Sequence, residues 1–273
     1  MRILKWLLII GIVALVLLCI YAFKIEPRLV IVSRLTLEHG NKKEHTMKVV
    51  QVSDTQLSKA YSAKRLAKIV QKVNAEEADI LVFTGDLFDD YEKYGPVEEM
   101  IQALGAMTAT TGKYAVWGNH DYTDGSEAIY EDTMTQGGFL VLKNEGETLN
   151  MADGGTVFIG GLDDSIHGQP APKKLLSYRE RYDYSIILTH EPDIADEFIH
   201  TETQLVLAGH SHGGQLNLPF IESPRPLYAQ KYKKGLYQLS DDLSLYVNSG
   251  LGTTFIHARF RVPPEISSFI ITF

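Results

Sequence analysis

The sequence predicts an α/β fold in which helices cover β-sheets, preceded by one apolar N-terminal helix. Three observations carry this. Short apolar runs of strand length alternate with amphipathic stretches of helical period through most of the 273 residues. The last part of the chain is β-rich with turns between the runs. Eighteen uncharged residues stand near the start.

That uncharged run, Trp6 to Phe23, reads WLLIIGIVALVLLCIYAF. As a helix it rises about 27 Å, close to the hydrocarbon thickness of a bilayer. Trp6 and Tyr21 lie near its ends, where amphipathic rings favour the headgroup region. A cleaved signal peptide would have a shorter apolar run ending in small residues, whereas this one ends Cys-Ile-Tyr-Ala-Phe. Val-Leu-Leu before Cys19 also lacks the small residue of a lipoprotein signal. Residues 1–28 therefore read as an uncleaved single-pass cell-membrane anchor and linker. Arg2 and Lys5 favour an inside N-terminus and an extracytoplasmic domain, although Lys24, Arg28, Lys42 and Lys43 weaken the contrast.

Beyond Pro27, residues 29–273 read as one domain. Leu29–Leu37 and Met47–Val52 have strand composition. Ala63–Asn74 carries Leu66, Ile69, Val70 and Val73 at helical spacing, a core-facing stripe. Ile80–Thr84 is a short buried strand, Val97–Met107 a helix, Tyr114–Trp117 a strand and Ser126–Gln136 a helix. Short strands follow around Leu140, Thr148 and Val157–Ile159, then a helix over Lys173–Arg181. The strand Ser185–Thr189, a short helix Ile194–Phe198 and the strand Leu205–Ala208 come next. Gly235–Leu239, Leu243–Val247 and Ile266–Phe273 complete the tail.

Composition narrows the function. Thirty-four acidic against 26 basic residues give a net charge of −8, which argues against a nucleic-acid partner. A single cysteine, Cys19, excludes a disulfide framework or thiolate cluster.

The chemistry sits at strand ends. Val49–Ser53 leads into Asp54-Thr55-Gln56, and Ile80–Thr84 into Gly85-Asp86-Leu87-Phe88-Asp89. Tyr114–Trp117 leads into Gly118-Asn119-His120-Asp121, and Ile186–Thr189 into His190-Glu191. Leu205–Ala208 leads into Gly209-His210-Ser211-His212-Gly213-Gly214. Open α/β sheets bind ligands at the carboxyl ends of their strands, where these five clusters converge. Carboxylates, an amide and imidazoles without thiolates suit Mn²⁺, Fe or Zn²⁺. Two such ions a few ångströms apart share a bridging hydroxide and steady both oxygens of a phosphoryl displacement.

Ser53-Asp54-x-Gln56, Gly85-Asp86-x-x-Asp89, Gly118-Asn119-His120-Asp121, His190 and Gly209-His210-x-His212 together resemble the calcineurin-like metallophosphoesterase superfamily, over residues 47–252. With Gly213-Gly214-Gln215 and the anchor, the resemblance extends to its bacterial membrane-associated YkuE/YaeI-type branch. It implies a four-layer α/β/β/α sandwich and a two-metal centre. Asp54, Gln56, Asp86 and His212 would hold one ion; Asp86 would bridge to a second held with Asn119, His190 and His210. His120 would be the catalytic histidine with Asp121 beside it, and Asp89 more structural. The implied activity is hydrolysis of a phosphomonoester or phosphodiester by metal-bound hydroxide, on a lipid- or wall-linked substrate at the membrane. A UDP-diacylglucosamine pyrophosphatase-like activity belongs to the family's range. Two other readings stay open: a silent metal-dependent binding module and an anchored phosphoprotein phosphatase. No oligomeric state follows.

Gln56 departs from the family, which has histidine there; an amide oxygen is the weaker donor. Outside the clusters, His39, His45 and His200 read as solvated surface residues, and Asp163-Asp164 as a turn. Arg259, in His257-Ala258-Arg259-Phe260-Arg261, is a candidate for a substrate phosphate, since a guanidinium forks onto phosphate oxygens.

Overall fold

The central strands of this chain are short, nearly continuous apolar runs buried on both faces, and the strands sort into two stacked sheets. The computed structural model describes residues 2–40, 43–58, 61–89, 97–178 and 181–273. In chain order the strands are β1 (Ile31–Glu38), β2 (Thr46–Val52), β3 (Ile80–Thr84), β4 (Gly112–Val116), β5 (Leu140–Val141) and β6 (Glu145–Asn150). They continue as β7 (Thr156–Gly161), β8 (Tyr184–Leu188), β9 (Leu205–Ala208), β10 (Gly235–Gln238), β11 (Ser244–Val247) and β12 (Glu265–Thr272). The helices are α1 (Arg2–Ile20), α2 (Ala63–Asn74), α3 (Glu98–Gly105), α4 (Tyr130–Gln136) and α5 (Pro172–Leu175).

One sheet runs β1-β12-β2-β3-β4-β5 and the other β10-β11-β9-β8-β7-β6. Along β3, Ile80 and Val82 point between the sheets, where they meet Ile159, Ile186 and Leu207. Leu81 and Phe83 point outward onto the buried stripe of α2, with Leu104 of α3 and Met134 of α4. Beyond the second sheet, Phe158, Ile187 and Val206 pack on Leu175 and on Phe198 of the 3₁₀ turn Pro192–Phe198. The result is the four-layer α/β/β/α sandwich that the motifs imply. Strands buried on both faces read as continuous apolar runs, which is why β3, β8 and β9 stand out in the sequence.

The helix expected over Lys173–Arg181 is shorter. Pro172 fixes its first turn, and Ser177 Oγ takes the Lys174 carbonyl (2.6 Å), so the helix stops at Leu175. Arg179 and Glu180 of that expectation, and Lys42 of the charge argument, lie outside the described residues. The helix expected from Ser126 begins at Tyr130, after a turn closed on the Ser126 carbonyl.

Strands β2, β3 and β4 are parallel neighbours, as are β8, β9 and β11. Gln51 bridges the two sheets at their carboxyl ends, donating to the Ala208 carbonyl and Thr84 Oγ1 (2.9 Å each). α1 is apolar and long enough to cross a membrane, and it is the one such helix among the described residues.

Candidate metal centre

Each parallel strand releases one short loop at the same edge of the sandwich, so side chains distant in sequence meet there. Asp86, His190 and His210 bring one ligand atom each within 4.8 Å of one another, and so do Asp54, Asp86 and His212. Asp86 belongs to both groups. All five side chains are buried.

The backbone is forced to achieve this. Asp54, Gln56, Asp86, His210 and His212 have φ between 47° and 67°, a left-handed conformation that costs a residue with a Cβ energy. Gly118 is required by packing instead: a Cβ there would approach the Asp86 amide nitrogen to 2.5 Å.

Hydrogen bonds fix which atom of each ring faces inward. His190 Nδ1 lies 2.7 Å from the Thr84 carbonyl and donates to it, leaving Nε2 toward Asp86 Oδ2 at 3.3 Å. His210 Nε2 donates to the Leu227 carbonyl (2.8 Å), leaving Nδ1 toward His190 Nε2 at 3.2 Å. A metal-binding histidine characteristically spends its other N–H on a carbonyl in this way. Asp54 is held by Ser53 Oγ (2.5 Å) and the His210 amide (3.1 Å) and lies 3.4 Å from His212 Nε2.

The electrostatics are those of a crowded, buried site. Burial pushes Asp54 up to about 6, against the attraction of His190. Burial would raise Asp86 as well, but His190 and His120 hold it well below the usual carboxylate range. Burial and the neighbouring His190 press His210 down to about 4, and burial together with Arg259 keeps His212 neutral. His120 is raised, since Asp86 and the Asp89 carbonyl outweigh its burial.

The donor set fits divalent cations. Gln56 Oε1, Asn119 Oδ1 and His212 Nδ1 are buried atoms without a hydrogen-bond partner among the described residues. Buried acceptors are normally paired, so the two unpaired amide oxygens of Gln56 and Asn119, beside the buried carboxylates of Asp54 and Asp86, call for positive charge. Gln56 also donates Nε2 to Asp86 Oδ2 (2.6 Å), which brings its amide into this cluster.

Two of the sequence candidates have other duties. Asp121 is fully buried and accepts the amides of Asp86 (2.8 Å), Leu87 (2.9 Å) and Gly118 (3.0 Å), so it braces two loops rather than meeting a reactant. Arg259 is also fully buried and donates to the carbonyls of Ser249, Gly250, Gly252 and Val262. It has no face for a substrate phosphate; it ties the 249–252 turn beside Asp54. Arg259→Met should lower the melting temperature of the full chain by roughly 6–12 °C, from carbonyls left unpaired at about 3 kcal/mol in total. An unchanged melting temperature with weakened phosphate inhibition would return Arg259 to the substrate. Sequence reasoning missed the Leu227 carbonyl on His210, because a backbone acceptor leaves no signal in residue type.

Asp86, Asn119, His120, His210 and His212 open into a cavity of about 420 Å³ whose outer wall includes Leu216, Leu227, Phe255 and Ile256. His120 Nδ1 lies 3.2 Å from the Asp89 carbonyl, leaving Nε2 as its available ring nitrogen.

Residues 47–214 match the calcineurin-like phosphoesterase family. The chain is 36% identical over 257 residues to the metallophosphoesterase YkuE of Bacillus subtilis, covering 92% of this chain and 88% of that protein. It is 31% identical over 221 residues to the metallophosphoesterase Cj0846 of Campylobacter jejuni, covering 81% of this chain and 58% of the relative. It is 28% identical over 308 residues to the UDP-2,3-diacylglucosamine pyrophosphatase LpxG of Chlamydia trachomatis, covering 92% of each.

Proposed function

We propose that this chain, which belongs to the calcineurin-like phosphoesterase family, is a membrane-anchored two-metal enzyme acting on a lipid-linked or cell-envelope phosphoester. Membership makes it a metal-dependent hydrolase of phosphoric esters. The observation that carries the two-metal reading is Asp86, shared between two buried ligand groups. Asp54, Gln56, Asp86 and His212 would hold one ion; Asp86, Asn119, His190 and His210 would hold the other. Oxygen donors mixed with imidazoles favour Mn²⁺, with Fe or Zn²⁺ as substitutes. The chemistry that such a pair would supply when bound is polarisation of the phosphoryl group and activation of the attacking water.

The chain's own groups do the rest. The His120 amide donates to Asp86 Oδ1 (2.9 Å), locking the loop that presents the imidazole to the cavity. With Nδ1 held at the Asp89 carbonyl, Nε2 is the ring nitrogen that can pass a proton to the leaving-group oxygen. Asp121 acts through the loops it braces. The apolar outer wall suits acyl chains, as does the diacylated substrate in the name of the relative LpxG. Residues 1–28 anchor the chain and residues 29–273 form the catalytic domain, placed outside the cytoplasm.

Two experiments bear on this. Chelation should abolish hydrolysis of bis-p-nitrophenyl phosphate by the full chain in detergent, and added Mn²⁺ should restore it. Turnover indifferent to chelator, or absent in Mn²⁺, contradicts the proposal. Gln56→His should hold the first ion more tightly, on the order of tenfold, in competition with a chelator. Unchanged retention would remove Gln56 from the ligand set.

A further inference from the structure

We infer that the metal-site end of the domain lies against the bilayer, with the Thr254–Ile256 tip inserted into the leaflet from which α1 emerges. The inference rests on the reading of α1 as a membrane anchor. Strand register places that end. Ser267 of β12 pairs with Gln51 near the carboxyl end of β2, and Ile31 at the start of β1 pairs with Glu265. The chain leaving α1 therefore joins the domain at the edge where the candidate ligands gather.

No linker holds the two apart. The Arg259 amide donates to the Ala22 carbonyl (2.9 Å), and the Phe260 ring stands edge-on to Tyr21 at 6.3 Å. Val262 donates to the buried Glu26 carboxylate (2.5 Å). Tyr21 and Ala22 belong to the uncharged run itself. Residues 259–260 thus sit at the depth of its last turn, where a bilayer meets its headgroups.

The same segment carries an exposed apolar tip. Phe255 is 92% exposed and Ile256 51%. Gln215 holds the tip in place, donating to the Thr254 and Ile256 carbonyls (3.1 and 2.7 Å) and accepting the Thr254 amide (3.0 Å). Asn217 donates to the Phe260 carbonyl (2.9 Å), which attaches a second loop with Phe220 and Ile221 exposed. Single exposed apolar residues are ordinary, but two loops of them bound to one segment mark an interaction surface.

Charge beside the tip matches phosphate headgroups. A cavity of about 360 Å³ is lined by Lys24, Arg28, Arg65 and His257 and by no carboxylate. The Arg65 guanidinium, 4.2 Å over the Tyr61 ring, has its buried Nη2 without a hydrogen-bond partner among the described residues. In a chain of net charge −8, a cationic cavity at the foot of an apolar helix fits an anionic leaflet. The catalytic cavity, which shares Phe255 and Ile256, then opens at the lipid boundary, and an acylated phosphoester enters sideways without leaving its leaflet.

Spin labels on the full chain in vesicles of phosphatidylcholine and phosphatidylglycerol test this through accessibility to oxygen relative to a water-soluble nickel chelate. One label goes on native Cys19. In a Cys19→Ser background, others go on Phe255→Cys, Phe220→Cys and, at the opposite end of the sheets, Asp242→Cys. The ratio should be highest at Cys19, several-fold above the Asp242 value at position 255, and lowest at Asp242. A high ratio at Cys19 with positions 255 and 220 both matching Asp242 overturns the inference and leaves the anchor standing. A low ratio at Cys19 overturns the anchor reading and the inference with it. Because Phe255 and Phe220 are exposed, their replacement leaves the core untouched, and a high ratio at either position supports insertion of this end.

Discussion

Asp86→Ala should empty both metal positions and lower turnover of bis-p-nitrophenyl phosphate by about a thousandfold or more. The size follows from the sharing. A ligand serving one ion would cost one position, whereas Asp86 is within reach of His190 and His210 on one side and of Asp54 and His212 on the other. Its Oδ1 also accepts the His120 amide, so the substitution loosens the catalytic loop as well. Metal content and turnover measured on the same preparation check this. Loss of a single ion with most activity retained would mean that Asp86 does not bridge.

His120→Ala should separate chemistry from metal binding. The imidazole lines the cavity beside Asp86 and Asn119 but is outside both ligand groups. Removing a positioned general acid costs about 10²–10⁴-fold in rate. Metal content should stay unchanged, and substrates with better leaving groups should suffer less, because they need less protonation. If the variant loses metal instead, His120 is a ligand. If it loses neither metal nor activity, the cavity is not where the phosphoester reacts.

Much of this arrangement was legible in the sequence, for a physical reason. Strands buried on both faces must be apolar throughout, so Asp54, Asp86, Asn119, His190 and His210 appear as abrupt polar breaks at the ends of β2, β3, β4, β8 and β9. The amphipathic stripe of α2 gave its full extent, Ala63–Asn74. What was not legible depends on backbone partners. Arg259 sits in a basic segment that reads as solvent-facing. Its guanidinium instead satisfies four carbonyls, three of them on a turn seven to ten residues earlier. Asp121 stands beside a candidate catalytic histidine, yet its carboxylate is spent on amides of two loops. Nor does residue type disclose that the Phe260 segment meets the end of the N-terminal apolar run, at Tyr21 and Ala22 just past α1, since that contact joins positions more than two hundred residues apart.

The central claim is a pair of ions sharing one carboxylate. Counting metal by mass spectrometry on the purified full chain, with bis-p-nitrophenyl phosphate turnover followed on the same sample as Mn²⁺ is added, tests it most directly. The account predicts two ions per chain, with activity rising as both positions fill. One ion or none, with no turnover at saturating Mn²⁺, would contradict it.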